Sequence, residues 1–144
     1  MAPPELTPEQ LETYRTVGYV LLKQWIPQPL LRALQSETEA GLLAQFPDTP
    51  ITSQWMWSRA SATPSRVTPT LCAAQELPEF LTPARQLQGD DVVGLGVDLN
   101  RYLGDINYHP DGQGPTAEWG LDASKFMIYL DPVRAETGCL HIVP

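Results

Sequence analysis

Positive charge is in short supply in this chain of 144 residues. Nine Lys and Arg face seventeen Asp and Glu, a formal net charge of −8. That balance argues against nucleic acid as a partner, because a basic footprint supplies most of the affinity for a phosphate backbone. Long apolar runs are missing too, and none approaches the ~20 residues that a membrane-spanning helix needs. Residues 1–10 are acidic and proline-containing, without a basic n-region or an apolar h-region, so no secretory signal is expected. Cysteine is limited to Cys72 and Cys139, far apart and in no metal or redox spacing. A reduced, cytoplasmic setting is the expectation that follows.

What is present is globular in composition: 42% hydrophobic residues against 18% charged, enough for one domain over residues 1–144 that buries roughly two-thirds of its extended-chain surface. Fifteen prolines form no run and punctuate the chain into short elements instead. Charge is unevenly spread. Residues 1–72 carry five basic and six acidic side chains, and residues 73–144 carry four and eleven. Seven of the eight aspartates lie in that second half. A solvated acidic face accounts for them; oxygen donors for a hard or borderline cation are the other reading.

Thr7-Pro8-Glu9-Gln10 reads as a helix start, with Thr7 as cap, Pro8 at the first helical position and Gln10 completing a capping box. Leu11, Tyr14 and Val17 mark the buried face, and Gly18 stops the helix. A short strand is expected over residues 19–22. A longer helix is expected over about 28–45, where Leu30, Leu31, Leu34, Thr38, Gly41 and Leu42 follow a 3.6-residue period, and Pro47 ends it. Residues 48–70, rich in Ser, Thr and Pro around Trp55-Met56-Trp57, are long for a structureless loop and read as a functional lid or a partly mobile stretch. The aromatic trio there is either core or the wall of a substrate pocket. A proline-interrupted helix follows over about 78–88, closed by Gly89. The pattern then turns to strands, at residues 92–99, 106–109, 123–131 and 138–143. Helices over 1–90 followed by strands over 91–144 predict an α+β fold with helices packed on a sheet that curls into a barrel or sandwich.

The chemistry concentrates at His109-Pro110-Asp111. On an extended backbone, positions i and i+2 project to the same side, so an imidazole nitrogen and a carboxylate oxygen converge on one ion. Together they make two-thirds of the facial triad of two histidines and one carboxylate that non-haem Fe(II) oxygenases use. Taken alone, the same three residues also describe a surface turn held by a His–Asp hydrogen bond.

Asn107-Tyr108-His109-Pro110-Asp111, a Gly-rich loop and then Lys125-Phe126-Met127-Ile128-Tyr129-Leu130-Asp131-Pro132-Val133 resemble the phytanoyl-CoA dioxygenase family. So do Glu136-Thr137-Gly138-Cys139-Leu140-His141-Ile142-Val143-Pro144, the opening helix with Gly18-Tyr19-Val20-Leu21-Leu22, and Leu87-Gln88-Gly89-Asp90-Asp91-Val92. The likeness runs through the chain in the family's order. It implies a double-stranded β-helix, of the jelly-roll or cupin-like kind, with N-terminal helices packed on the sheet. It also implies an Fe(II)- and 2-oxoglutarate-dependent dioxygenase that hydroxylates a small organic substrate. His109 and Asp111 match the family's first two iron ligands, and the carboxylate of Asp111 resembles a hydroxylase rather than a halogenase. Asn100 lies where similar enzymes contact the 2-oxo acid. Tyr129, with Lys125 and Met127, lies on the strand face that points into the barrel in such proteins, while Phe126, Ile128 and Leu130 form the opposite face, suited to packing under the helices.

The family's second iron histidine and its 2-oxoglutarate-binding arginine follow the Pro-Gly-Ser-His turn, and the sequence stops within that turn at Pro144. A chain continued past Pro144 is expected to supply both. His141 stands between Leu140 and Ile142 at a position that resembles a variable one, so a structural or surface role is expected for it, and Arg134 reads as an exposed loop residue. Without closing strands, segments 123–131 and 138–143 would present open edges that invite self-association. Two other readings stay open: a truncated, non-catalytic binding or interaction module, and a cupin-like binder whose His-x-Asp is incidental.

Overall fold

The computed structural model describes residues 4–50, 56–62, 66–103 and 123–142. Helix α1 (Pro8–Val17) begins with the expected reciprocal cap. The Thr7 hydroxyl accepts from the Gln10 amide at 3.2 Å and the Gln10 side chain accepts from the Thr7 amide at 2.8 Å. Gly18 closes the helix at φ +83°, a left-handed conformation that costs glycine nothing sterically, and donates to the Tyr14 carbonyl. Leu11 and Tyr14 are half-buried, but Val17 is exposed. Helix α2 (Gln28–Gln45) buries Leu34, Thr38, Gly41 and Leu42 along one stripe, as its periodicity predicts.

Within the segment read as a lid or loop, three elements form. Strand β1 (Met56–Arg59) leads into a 3₁₀ turn, Ala60–Ala62, and helix α3 (Pro69–Ala73) follows. Strand β1 pairs antiparallel with β2 (Asp98–Arg101), with Trp57 opposite Asn100 and Ser58 opposite Leu99. The Ala60 amide extends the ladder by donating to the Val97 carbonyl at 2.9 Å. Helix α4 (Pro78–Gln88) carries Pro83 in its interior. Proline has no amide proton, so the carbonyl four residues back, that of Glu79, loses its helical donor. The indole Nε1 of Trp25 fills the gap, donating to that carbonyl at 2.8 Å. The backbone break is thereby satisfied from outside the helix.

Leu34, Leu42, Met56, Ala60, Leu71, Ala74, Phe80 and Leu99 form one core, drawn from α2, α3, α4 and both strands. Two further ties come from side chains. The Glu37 carboxylate of α2 accepts from the amides of Thr70 and Leu71 at 3.1 and 2.9 Å, supplying partners for α3's otherwise orphan donors. Gln86 of α4 exchanges two hydrogen bonds with the backbone of Leu6, which fixes the approach to α1.

The described residues are thus a mixture of helix and strand, consistent with α+β. The strand expectations need correction in four places. Residues 19–22, 123–131 and 138–142 join no ladder among the described residues, and of 92–99 only the last two residues are strand. Alternating polarity makes a segment fit a half-buried surface, but strand structure also requires a hydrogen-bonding neighbour. Residues 124–130 nevertheless alternate in burial. Phe126, Ile128 and Leu130 pack against the helical core, with the Phe126 ring edge-on to Phe80 at 6.0 Å, and Lys125, Met127 and Tyr129 face outward. The expected strand over 106–109 lies outside the described residues.

Candidate functional site

The pair that carries the expected metal chemistry, His109 and Asp111, lies outside the described residues, as does Trp55. Among the described residues no group of three or more His, Cys, Asp or Glu is placed to hold a metal ion. The flanks of the expected site are described, however, and they fall on two surfaces.

The first surface is the outer face of the β1–β2 pair. Side chains alternate across it, so Met56, Ser58 and Leu99 are buried while Trp57 stays 44% exposed beside half-buried Asn100. The register sets Asn100 directly across from Trp57 and Arg59 across from Asp98. The last two form an exposed ion pair at 3.6 Å. The fold therefore brings together two residues that the sequence suggested for different reasons, Asn100 for the 2-oxo acid and Trp57 for an organic substrate. Trp57, Ser58 and Arg59 also line a cleft of about 290 Å³ with Gln45, Phe46 and Ser61.

The second surface is the outward side of residues 125–142. The Tyr129 hydroxyl accepts from the Leu140 amide at 2.6 Å, which joins the 125–130 segment to the last described one. Accepting that bond leaves Tyr129 its own O–H proton to donate. A 3₁₀ turn, Ala135–Thr137, links the two segments, and the Thr137 hydroxyl accepts from the Arg134 amide at 2.7 Å. His141 is exposed, its Nε2 lying 3.8 Å from the Cys139 sulfur.

A cleft of about 340 Å³ lies between α3 and α4, lined by Cys72, Gln75, Glu76, Leu81, Arg85, Val92 and Gly94. Sequence reasoning gave it no role, because its lining comes from three separate stretches that share no motif. No helix of the described residues is long and apolar enough to cross a membrane. Comparison with known proteins returns no match, whether to a family model, a curated protein or a solved structure.

Proposed function

We propose that this chain is part of a non-haem Fe(II)- and 2-oxoglutarate-dependent dioxygenase of the phytanoyl-CoA dioxygenase kind, built on a double-stranded β-helix. The observation that carries the reading is the ordered set of motifs around His109-Pro110-Asp111. The packing of Phe126, Ile128 and Leu130 under the helices, with Tyr129 on the opposite side, supports it from the structure. His109 and Asp111 fit Fe(II) in donor type, one imidazole and one carboxylate. They are two of the three protein donors that a facial triad needs, and the third is not identified within these 144 residues.

The chemistry such an iron supplies is oxidation of a substrate C–H bond coupled to decarboxylation of the 2-oxo acid. The chain's own contribution is binding and orientation. His109 and Asp111 would hold the ion and Asn100 would offer an amide to the 2-oxo acid, while Tyr129, on the other surface, keeps a hydroxyl proton to donate there. Trp57 shapes an apolar wall for the organic substrate. The test is succinate formation from 2-oxoglutarate by a chain that continues past residue 144 and carries a further histidine and arginine. Turnover that vanishes in His109→Ala and Asp111→Ala variants is the expected result. A folded, extended chain that neither binds Fe(II) nor consumes 2-oxoglutarate would refute the reading.

One observation favours a second reading, a non-catalytic interaction module. Met127, Tyr129, Leu140 and Ile142 are each 40–51% exposed on the last two segments. A concentration-dependent dimer in sedimentation, with no iron bound by calorimetry, is what that reading requires.

A further inference from the structure

Among the α-helices of the described residues, α1 alone has no fully buried side chain; α2, α3 and α4 each bury at least one. What fastens α1 is polar, and both fastenings lead to the end of α4. Just ahead of the helix, the Gln86 side chain bonds the amide and the carbonyl of Leu6, at 2.7 and 3.2 Å. Leu6 is buried, but outside the core cluster. Towards the other end, the Tyr14 hydroxyl lies 3.0 Å from Oγ of Ser124, and Gln88 Nε2 donates to that same Oγ at 2.6 Å. A serine hydroxyl has one proton and two lone pairs. Gln88 takes one lone pair, and the proton or the other lone pair serves Tyr14. Two bonds that share one hydroxyl polarise each other, so each is stronger while the other is made. Behind α1 the connection is built like a hinge. Gly18 is left-handed at φ +83°, residues 19–24 join no ladder among the described residues, and Tyr19 and Leu21 are exposed.

We infer that α1 is a strap that opens as a unit, and that Ser124 is the latch through which α1 and residues 123–130 hold or release each other. Opening needs only polar bonds to exchange for bonds to water, so it leaves the core intact. Ser124 belongs to the stretch whose Phe126, Ile128 and Leu130 pack on that core, and the latch therefore has a firm base. Docking of α1 then depends on Gln88, a residue that makes no hydrogen bond to α1 among the described residues. The coupling is reciprocal by linkage: whatever steadies residues 123–130 steadies α1, and docked α1 steadies residues 123–130. The bond from the Leu140 amide to the Tyr129 hydroxyl carries the connection on to residues 138–142. None of this rests on the dioxygenase reading.

The experiment is amide hydrogen exchange, read by mass spectrometry on the 144-residue chain. Tyr14→Phe removes one hydroxyl and keeps the ring, and it should speed exchange across α1 about fivefold, the worth of one hydrogen bond. Gln88→Ala should speed the same amides, although Gln88 reaches α1 only through Ser124. The two substitutions together should speed them by less than the product of the single effects, because both act on one hydroxyl. Ser124→Ala should match the double variant. In the other direction, Tyr14→Phe should also speed exchange across residues 123–126. The amides of α2 should keep their protection in every variant. Gln88→Ala without effect on α1, or single effects that simply multiply, would overturn the latch. Exchange in α2 that rises in step with α1 would overturn the strap, since the helix would then open only with the whole fold.

Discussion

Trp25 and Pro83 show how one residue's deficit is met by another far away in sequence. Trp25→Phe keeps most of the ring but leaves the Glu79 carbonyl without its indole donor. A part-buried, unpaired acceptor costs about 1–3 kcal/mol, and urea unfolding should show that loss as a lower midpoint with an unchanged slope. The same substitution should cost less in a Pro83→Ala background, where residue 83 regains an amide to donate to Glu79. Glu37 is a second such case. Glu37→Ala removes the acceptor for two amides of α3 and should destabilise by about 1–3 kcal/mol, with Glu37→Gln intermediate because one oxygen remains. In the core, Leu34→Ala should cost about 2–5 kcal/mol, since Leu34 is 1% exposed and sits at the centre of the cluster.

Elements differ in how they are secured, and that sets how they move. Helix α1 contributes no fully buried residue. It is tied instead through the Leu6–Gln86 pair and through the Tyr14 hydroxyl, 3.0 Å from that of Ser124. Gln86→Ala should therefore speed hydrogen exchange across residues 6–18 while leaving α2 amides protected, because only the local opening becomes easier. The same contrast explains what could be read in advance. The boundaries of α1, α2 and α4 were legible because the capping box of α1, Gly18, Pro47, Gly89 and a 3.6-residue stripe are local signals. Strand β1 was hidden because four residues among Ser and Thr become a strand only by pairing with β2, far along the chain. The converse failure occurred at residues 123–131. Their alternation correctly divided Phe126, Ile128 and Leu130 from Lys125, Met127 and Tyr129, but alternation could not say that a hydrogen-bonding neighbour would be lacking among the described residues. At the candidate site, the juxtaposition of Asn100 with Trp57 depended on register, which no single motif encodes.

For the whole molecule, charge is the dominant long-range term. A net charge of −8 on 144 residues makes the compact state repel itself, and the exposed Arg59–Asp98 pair offsets little of that. Raising ionic strength from ~0.01 M to ~0.15 M shortens the screening length from about 30 Å to about 8 Å. The melting temperature should rise over that range, as calorimetry or circular dichroism can show. A fall with added salt would mean that favourable charge pairs outweigh the net repulsion.

The edge-on contact of Phe126 with Phe80 has a consequence for how this protein is born. Helix α4 leaves the ribosome well before the segment that covers it. At ~5–20 residues per second of synthesis, the Phe80 face waits on the order of 2–10 s for Phe126 to be made. During that interval the nascent chain displays an uncovered aromatic surface in the crowded neighbourhood of other growing chains. A slow codon between the two phenylalanines would lengthen that exposed interval without changing the finished fold.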